Sequence, residues 1–567
     1  MPRNGQPHNP DRLDGADYYA TWDAAYVLDA LSDADRREFE RHLVGCNSCR
    51  QSVTELTAVS PLLSLLDYDQ VMAGDGAAGS VAAPPCPDLL TSLLAEADQR
   101  SAAAADRSQL QPSLLSPVVI AAQTVLPVFR RGNYDPVHDE LTSFDLPVEG
   151  NIPAELNGWY LRNGPNARAG AAHWCVGDGM VHGVRLENGR AAWYRNRWVR
   201  TESFEQPDNN ALYRPDGTRN LHSSTANTHV VRHAGKTLAL MEFSLPYEIT
   251  NDLETVGVYD FSGKLTDSMT AHPKVCPTTG ELHFFGCGNI FEPHVVYHRA
   301  DADGQLTINR PIDVPALTMM HDFALTAEHI VFLDLPLVFD LGVAQSPQNE
   351  REIRDLPYRW DDSYAARLGV LRRDDPYGPV RWLNIDPCYV FHIANAYDVP
   401  SAAENSIVLE VVRYAEIWRD NSEFGNDAAL WRWKLNLDTG TVEESQLDDR
   451  GVEYPRADDR LASTAARYSV AVGSDALVRY DLQRDTASEH RFGTGGNRGA
   501  PSEAVFAPAA GESDELAGWY LTYVYDPVNE GSDLVVIDAS DFEGEPVARV
   551  QLPRRVPHGF HGNWMPD

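Results

Sequence analysis

With 567 residues, 43% of them hydrophobic and 9% aromatic, the chain can bury one large globular core plus a smaller one, which excludes a disordered polymer. A formal net charge of −36 and a pI near 4.8 exclude non-specific nucleic-acid binding, which needs a basic surface to displace counterions. The seven cysteines, an odd number in a long chain, do not read as a disulfide framework and point to a reducing, cytoplasmic compartment.

The opening residues lack an apolar h-region, so no secretory signal is expected there. From Asp17 to Leu66 the pattern is helical: Trp22, Tyr26 and Leu31 share one apolar face, and Ser32 is a plausible N-cap for the segment beginning Asp33-Ala34-Asp35. Within these short helices stands His42-Leu43-Val44-Gly45-Cys46-Asn47-Ser48-Cys49, an H-x-x-x-C-x-x-C spacing whose imidazole and two thiols can close on one ion. The segment resembles the zinc-binding anti-sigma factor domain, which implies a small α-helical domain over residues 1-70, Zn(2+) held by His42, Cys46 and Cys49, and a sigma factor as partner. A tetrahedral structural zinc takes four ligands, and only distant His8 or a carboxylate such as Asp17 is on offer as the fourth. The plain alternative is a reduced helical domain with two inert cysteines.

Residues 71-133 read as a linker with one short helix: an Ala/Pro/Ser-rich stretch runs from Val71 to Ser113, and Pro84-Pro85-Cys86-Pro87 precedes the helical pattern. The apolar run Leu114–Phe129 is interrupted by Pro117, Gln123 and Pro127 and is too short to span a bilayer. It could dock peripherally on a membrane or pack against the body that follows.

From Tyr134 to the C-terminus the expectation is β structure. Short β-branched and aromatic runs, such as Ile330-Val331-Phe332-Leu333, Trp519-Tyr520-Leu521-Thr522 and Leu534-Val535-Val536-Ile537, alternate with turn pairs Asn188-Gly189, Asp216-Gly217, Asp303-Gly304 and Thr439-Gly440. So many short strands suggest a propeller or a large barrel, and with no visible repeat the pattern alone does not choose.

Four of the 18 histidines stand in distinctive frames far apart: Ala271-His272-Pro273-Lys274, Met320-His321-Asp322-Phe323, Phe391-His392-Ile393-Ala394-Asn395 and Gly559-Phe560-His561-Gly562. Taken singly, each is more often a satisfied core or surface imidazole than a ligand, and their spacing fits no local metal motif. Further blocks precede them: Gly158-Trp159-Tyr160-Leu161-Arg162-Asn163-Gly164-Pro165-Asn166, Gly177-Asp178-Gly179-Met180-Val181-His182-Gly183 and Tyr194-Arg195-Asn196-Arg197. In this order the blocks resemble the carotenoid cleavage oxygenases, over residues 134-567.

The resemblance implies a mainly β fold, a seven-bladed β-propeller, with non-haem Fe(2+) held on its axis by His272, His321, His392 and His561. Four neutral imidazoles leave the ion its full charge and an open position for O2. It further implies that Glu242, Glu453 and Glu503 orient His321, His392 and His561 by accepting the second ring N–H, leaving His272 without a carboxylate. With 83 acidic residues in the chain, each glutamate taken alone would be an ordinary surface carboxylate. His558 is the rival ligand nearest His561; His173, His182, His229, His283, His294 and His329 fit no ligand frame, and Asp322 is expected to fix local loop geometry.

The implied activity is oxidative cleavage of a carbon-carbon double bond in a carotenoid or apocarotenoid. One alternative is a stilbene-cleaving member of the same superfamily, whose pattern has lysine where this chain has Met241. Another is a sigma-factor-binding regulator whose propeller senses a ligand without turnover. Scissile bond, substrate length and oligomeric state are not legible.

Overall fold

Alternation along single strands explains the architecture. In His329–Asp334, Ile330 and Phe332 join one buried cluster while Val331 and Leu333 join another. In Gly531–Asp538, Leu534 and Val536 face one neighbour and Val535 and Ile537 the other. A strand apolar on both faces must lie inside a stack of sheets, which is why these segments read as unbroken hydrophobic runs.

The computed structural model describes His42 and residues 132–567, except 169–174, 208–210, 215–217, 346–355, 400–403, 421, 423, 426 and 494–498. The chain divides into two units, Met1–Thr124 and Val125–Asp567. Of the N-terminal module, only His42 is described, helical and half-buried. Cys46, Cys49, the helices around them and the run 114–129 lie outside the described residues, as do Asp216-Gly217 and His173.

The second unit is a seven-bladed β-propeller, each blade an antiparallel sheet of four to six strands. Of the two architectures open to the sequence pattern, the propeller is the one formed. Blades two, three, five and six each take four consecutive strands, starting with His229–His233, Lys274–Val275, Tyr389–Val399 and Glu453–Ala457, whereas the fourth, starting with Phe323–Leu325, is interrupted by a separate two-stranded sheet of Leu337–Phe339 and Tyr358–Trp360. The ring closes by pairing distant segments. The C-terminal strand Gly562–Pro566 pairs with Gly158–Asn166 to complete the first blade, and Val148–Gly150 pairs with Ala548–Gln551 at the edge of the seventh.

Buried clusters fill every seam between blades, including Leu161, Val181, Val230 and Tyr247 between the first and second and Tyr160, Val184, Leu521 and Val536 between the seventh and first. The tight turns are where the sequence puts them: Asn188 and Gly189 both take positive φ, 50° and 74°, the mirror-image geometry that suits a two-residue hairpin.

The pair Arg162-Asn163 sits at the closing seam. The Asn163 amide N–H donates to the His561 carbonyl at 3.0 Å, and its side-chain amide donates to the Ala226 carbonyl at 2.7 Å. Arg162 donates to Ser502 Oγ at 2.7 Å and to the Pro557 carbonyl. A motif legible only as a family signature is thus the clasp that joins the first, second and seventh blades.

Candidate metal centre

The four framed histidines arrive from four different blades. His272 and His321 each lie two residues before the first strand of the third and fourth blades, His392 lies in the first strand of the fifth, and His561 immediately precedes the closing strand of the first. Around His392 the pairing register slips between Val390 and Ile393, and such an irregularity re-aims a side chain that regular pleating would send into a seam.

The Gly-Phe-His-Gly frame also has a steric cause. A Cβ on Gly559 would lie 2.9 Å from the Asn163 carbonyl oxygen, and one on Gly562 2.5 Å from that of Leu161. Gly562→Ala is therefore expected to cost about 1–3 kcal/mol through forced backbone displacement, read as a lowered Tm in calorimetry. An unchanged Tm would contradict the close approach.

The four rings converge. Nε2 of His272 lies 2.9 Å from Nε2 of His321, Nε2 of His321 lies 3.3 Å from that of His392, and Nε2 of His392 lies 3.2 Å from that of His561. Each residue offers one ligand atom to a group lying within 4.8 Å. His272, His392 and His561 are buried and His321 is nearly so.

The opposite ring nitrogens of three of them are engaged. His321 Nδ1 contacts Glu242 Oε1, His392 Nδ1–H donates to Glu453 Oε2 at 2.5 Å, and His561 Nδ1–H to Glu503 Oε1 at 2.9 Å. These pairings match those the sequence resemblance implied. They fix the tautomer, so each of the three Nε2 atoms carries a bare lone pair directed at the others. Lone pairs do not hydrogen-bond to one another, and separations near 3 Å suit a cation held between them. Metal–nitrogen bonds of about 2.0–2.1 Å at angles of about 90–107° put donor atoms about 2.9–3.3 Å apart, the spacing found. The residues present fit a metal ion.

Electrostatics favours the neutral form of two of the four imidazoles. Burial first, then the neighbouring imidazoles, hold His272 and His561 well below the ordinary imidazole range. At His392 burial opposes the charged form, but the Glu453 carboxylate outweighs it and the net direction is upward. The glutamates are themselves held. Glu453 Oε1 accepts from Tyr414 Oη at 3.2 Å, and Glu503 Oε2 accepts from the Gly562 amide at 2.8 Å, with Arg456 3.5 Å from Oε1.

A cavity of about 480 Å³ reaches the centre, its lining mixing Lys274, Asp322 and Arg456 with apolar Phe323, Ile393 and Met565 beside His272, His392 and His561. Elsewhere, aromatic rings approach: Phe391 lies 5.2 Å from His321, and Trp418 and Phe424 lie 5.7 and 5.3 Å from Phe391. None of these three aromatics lines the cavity.

The other histidines make separate bonds. His558 stacks on Tyr134 at 4.3 Å between centroids; His182 and His283 each pair through Nδ1 with a tyrosine hydroxyl, His294 with the Asn289 carbonyl and His329 with Asp398. His229 is the one that sequence reasoning under-read. It heads the first strand of the second blade, and its ring lies 5.1 Å from that of His561. No local frame signals this, because its nearness depends on ring closure.

Four inward imidazoles from four blades, three of them beside carboxylates, define a β-propeller with a histidine group that could hold a metal ion. The sequence model of the family described as retinal pigment epithelial membrane protein matches residues 134–566, and a zinc-finger model matches residues 24–50. The chain is 37% identical over 489 residues to the carotenoid cleavage oxygenase of Mycobacterium tuberculosis, covering 77% of this chain and 97% of that one. It is 33% identical to carotenoid 9,10(9',10')-cleavage dioxygenase 1 of Arabidopsis thaliana, covering 77% and 89%. Among solved structures, the lignostilbene dioxygenase of Pseudomonas brassicacearum superposes with a TM-score of 0.68 at 27% identity, covering 80% of this chain and 100% of that one. The protein belongs to the carotenoid cleavage oxygenase family.

Proposed function

We propose that His272, His321, His392 and His561 hold one Fe(2+) and that the protein cleaves a carbon-carbon double bond of a carotenoid or apocarotenoid with O2. The overall change is alkene plus O2 to two carbonyl products, so no external reductant is consumed. The observation that carries this reading is the set of converging Nε2 lone pairs with three Nδ1–H groups tied to carboxylates.

Bound there, iron would supply the activation of dioxygen next to an electron-rich alkene. The chain's own groups do the rest. The glutamates hold the ring tautomers, and Phe424, 37% exposed and packed on buried Phe391 and Trp418, offers a flat apolar surface against which a polyene packs. No side chain has to transfer a proton.

A stilbene substrate is the second reading, favoured by the structural likeness to a lignostilbene dioxygenase. Against it stands Met241, just before Glu242: its sulfur accepts from the Phe243 amide at 3.3 Å, and a thioether offers no charge to hold a phenolate. The deciding experiment incubates iron-loaded protein with a panel of carotenoids, apocarotenoids and stilbenes under 18O2 and weighs the products. Two carbonyl fragments from a polyene, each with one labelled oxygen, are expected; turnover of stilbenes alone would overturn the assignment.

The proposal extends to the chain's organisation: a helical module over 1-70 with His42, Cys46 and Cys49 on Zn(2+), a linker over 71-133 and the propeller over 134-567. The zinc-finger match at 24–50 supports the module, and a sigma factor is the partner it suggests. A pull-down that recovers no sigma factor would remove that arm. Free thiols at Cys276, Cys287 and Cys388 support a cytoplasmic setting. Among the described residues no helix is long and apolar enough to cross a membrane, and peripheral contact is proposed only for the run 114–129.

A further inference from the structure

Three of the four imidazoles are oriented through Nδ1 by a glutamate, whereas among the described residues no carboxylate lies within 4.0 Å of a ring nitrogen of His272. Yet His272 makes the shortest approach of the set, 2.9 Å to Nε2 of His321. Something else must fix it.

The segment bearing His272 is tied down on both sides by neighbouring residues. Two positions before it, Thr270 Oγ1 accepts from the His272 amide at 3.2 Å and donates to the His321 carbonyl at 3.2 Å. Two positions after it, Lys274 Nζ lies 2.8 Å from Asp322 Oδ1. From the adjoining blade, His229 Nδ1–H donates to the Ala271 carbonyl at 2.8 Å, while its Nε2 accepts from Asn563 at 3.2 Å, two residues beyond His561.

Asp322 is the hub. Its side chain is only 2% exposed. Oδ1 accepts from its neighbour's amide at Phe323, 2.8 Å, and Oδ2 accepts from the amide of Ile393 at 3.0 Å, which adjoins His392. One buried carboxylate therefore links the backbones carrying His321 and His392 and, through Lys274, the one carrying His272.

We propose that the Lys274–Asp322 ion pair is a positioning device for the metal centre, setting His272 through its backbone where the other three histidines are set through their rings. Thr270 and His229 complete the support. This rests on the metal-binding reading above. With Asp322 buried and Lys274 one-quarter exposed, the desolvation penalty of the carboxylate offsets much of the pair's Coulombic gain, so its contribution is to geometry more than to net stability. Ligand atoms need placement to within about 0.5 Å, which a floppy segment between two blades would not give.

The test uses the full chain, with Co(II) as probe because its visible ligand-field bands report coordination geometry directly. Lys274→Met removes the charge from a side chain that is one-quarter exposed and keeps the apolar stem; Asp322→Asn removes the buried carboxylate. Both are expected to weaken Co(II) binding about 10–100-fold, the range for outer-shell partners, and to shift the bands. Lys274→Arg should restore both affinity and spectrum. Lys274→Met that is folded by circular dichroism, binds Co(II) within about twofold of wild type and gives a superimposable spectrum would overturn the proposal, whatever becomes of Asp322→Asn. Wild-type protein that takes up no Co(II) or Fe(2+) would instead overturn the metal reading itself.

Discussion

His392→Ala is expected to lose stoichiometric metal and to lower product formation by at least about 10³-fold, equivalent to about 4 kcal/mol of transition-state stabilisation. The size follows from position. His392 Nε2 lies 3.3 Å from that of His321 and 3.2 Å from that of His561, so it bridges two other ligands. Its removal also takes from Glu453 the N–H it accepts from at 2.5 Å, leaving the carboxylate only Tyr414 and the Tyr454 amide as donors. The fold should survive: the strand Tyr389–Val399 is anchored by Tyr389, Val390, Ile393 and Ala396 in the largest buried cluster, none of which is altered. His558→Ala is the matched control. It lies three residues from His561 and stacks on Tyr134 outside the converging group, so metal content should stay at the wild-type level. Metal analysis of both purified variants decides the matter. Full metal in His392→Ala, or equal loss in the two, would mean that the convergence of rings does not define the centre.

The contrast between these two histidines shows what was legible in the chain. Local chemistry carried the strands: Ile330 to Leu333 had to be buried on both faces, and Asn188-Gly189 had to turn. It could not carry the choice of propeller over barrel, because closure rests on Gly562–Pro566 finding Gly158–Asn166 across some 400 residues of chain, and no local pattern encodes that pairing. The four histidine frames were found by resemblance, and the fold brings their rings together. Gly559 and Gly562 are small because two backbones touch, and His392 points inward because its strand slips register.

What escaped the sequence was any role that exists only after closure. His229 reads as an ordinary strand residue, yet it holds the Ala271 carbonyl and Asn563 at once. Asp322, expected to shape one loop, in fact reaches two other segments through Ile393 and Lys274. The same dependence explains why a propeller suits this chemistry. Each ligand stands on a different blade, every seam is filled, and no single loop can move one imidazole without disturbing a packed interface.

Glu503→Gln is expected to combine both kinds of damage. Glu503 is 2% exposed and uses each oxygen differently, Oε1 for His561 Nδ1–H and Oε2 for the Gly562 amide. Glutamine is isosteric but keeps only one acceptor oxygen. Whichever way its amide turns, an NH2 group faces an N–H donor, either the ring of His561 or the backbone of Gly562. If the ring loses its acceptor, His561 can rotate or change tautomer, and metal affinity should fall about 10–100-fold. If the backbone loses it, the closing strand is disturbed at its first residue. Arg456 also loses a negative neighbour but keeps Asp459 at 3.0 Å, which limits the stability loss to about 1.5–3 kcal/mol, the range for hydrogen bonds to charged groups. Glu453→Gln is the comparison. Its carboxylate is more exposed and accepts from Tyr414 and the Tyr454 amide rather than from the closing strand, so affinity should fall similarly while Tm changes less. Parallel Co(II) titration and calorimetry separate the two contributions. Wild-type affinity with a lowered Tm in Glu503→Gln would make Glu503 a structural carboxylate only, and His561 would then have to hold its tautomer without it.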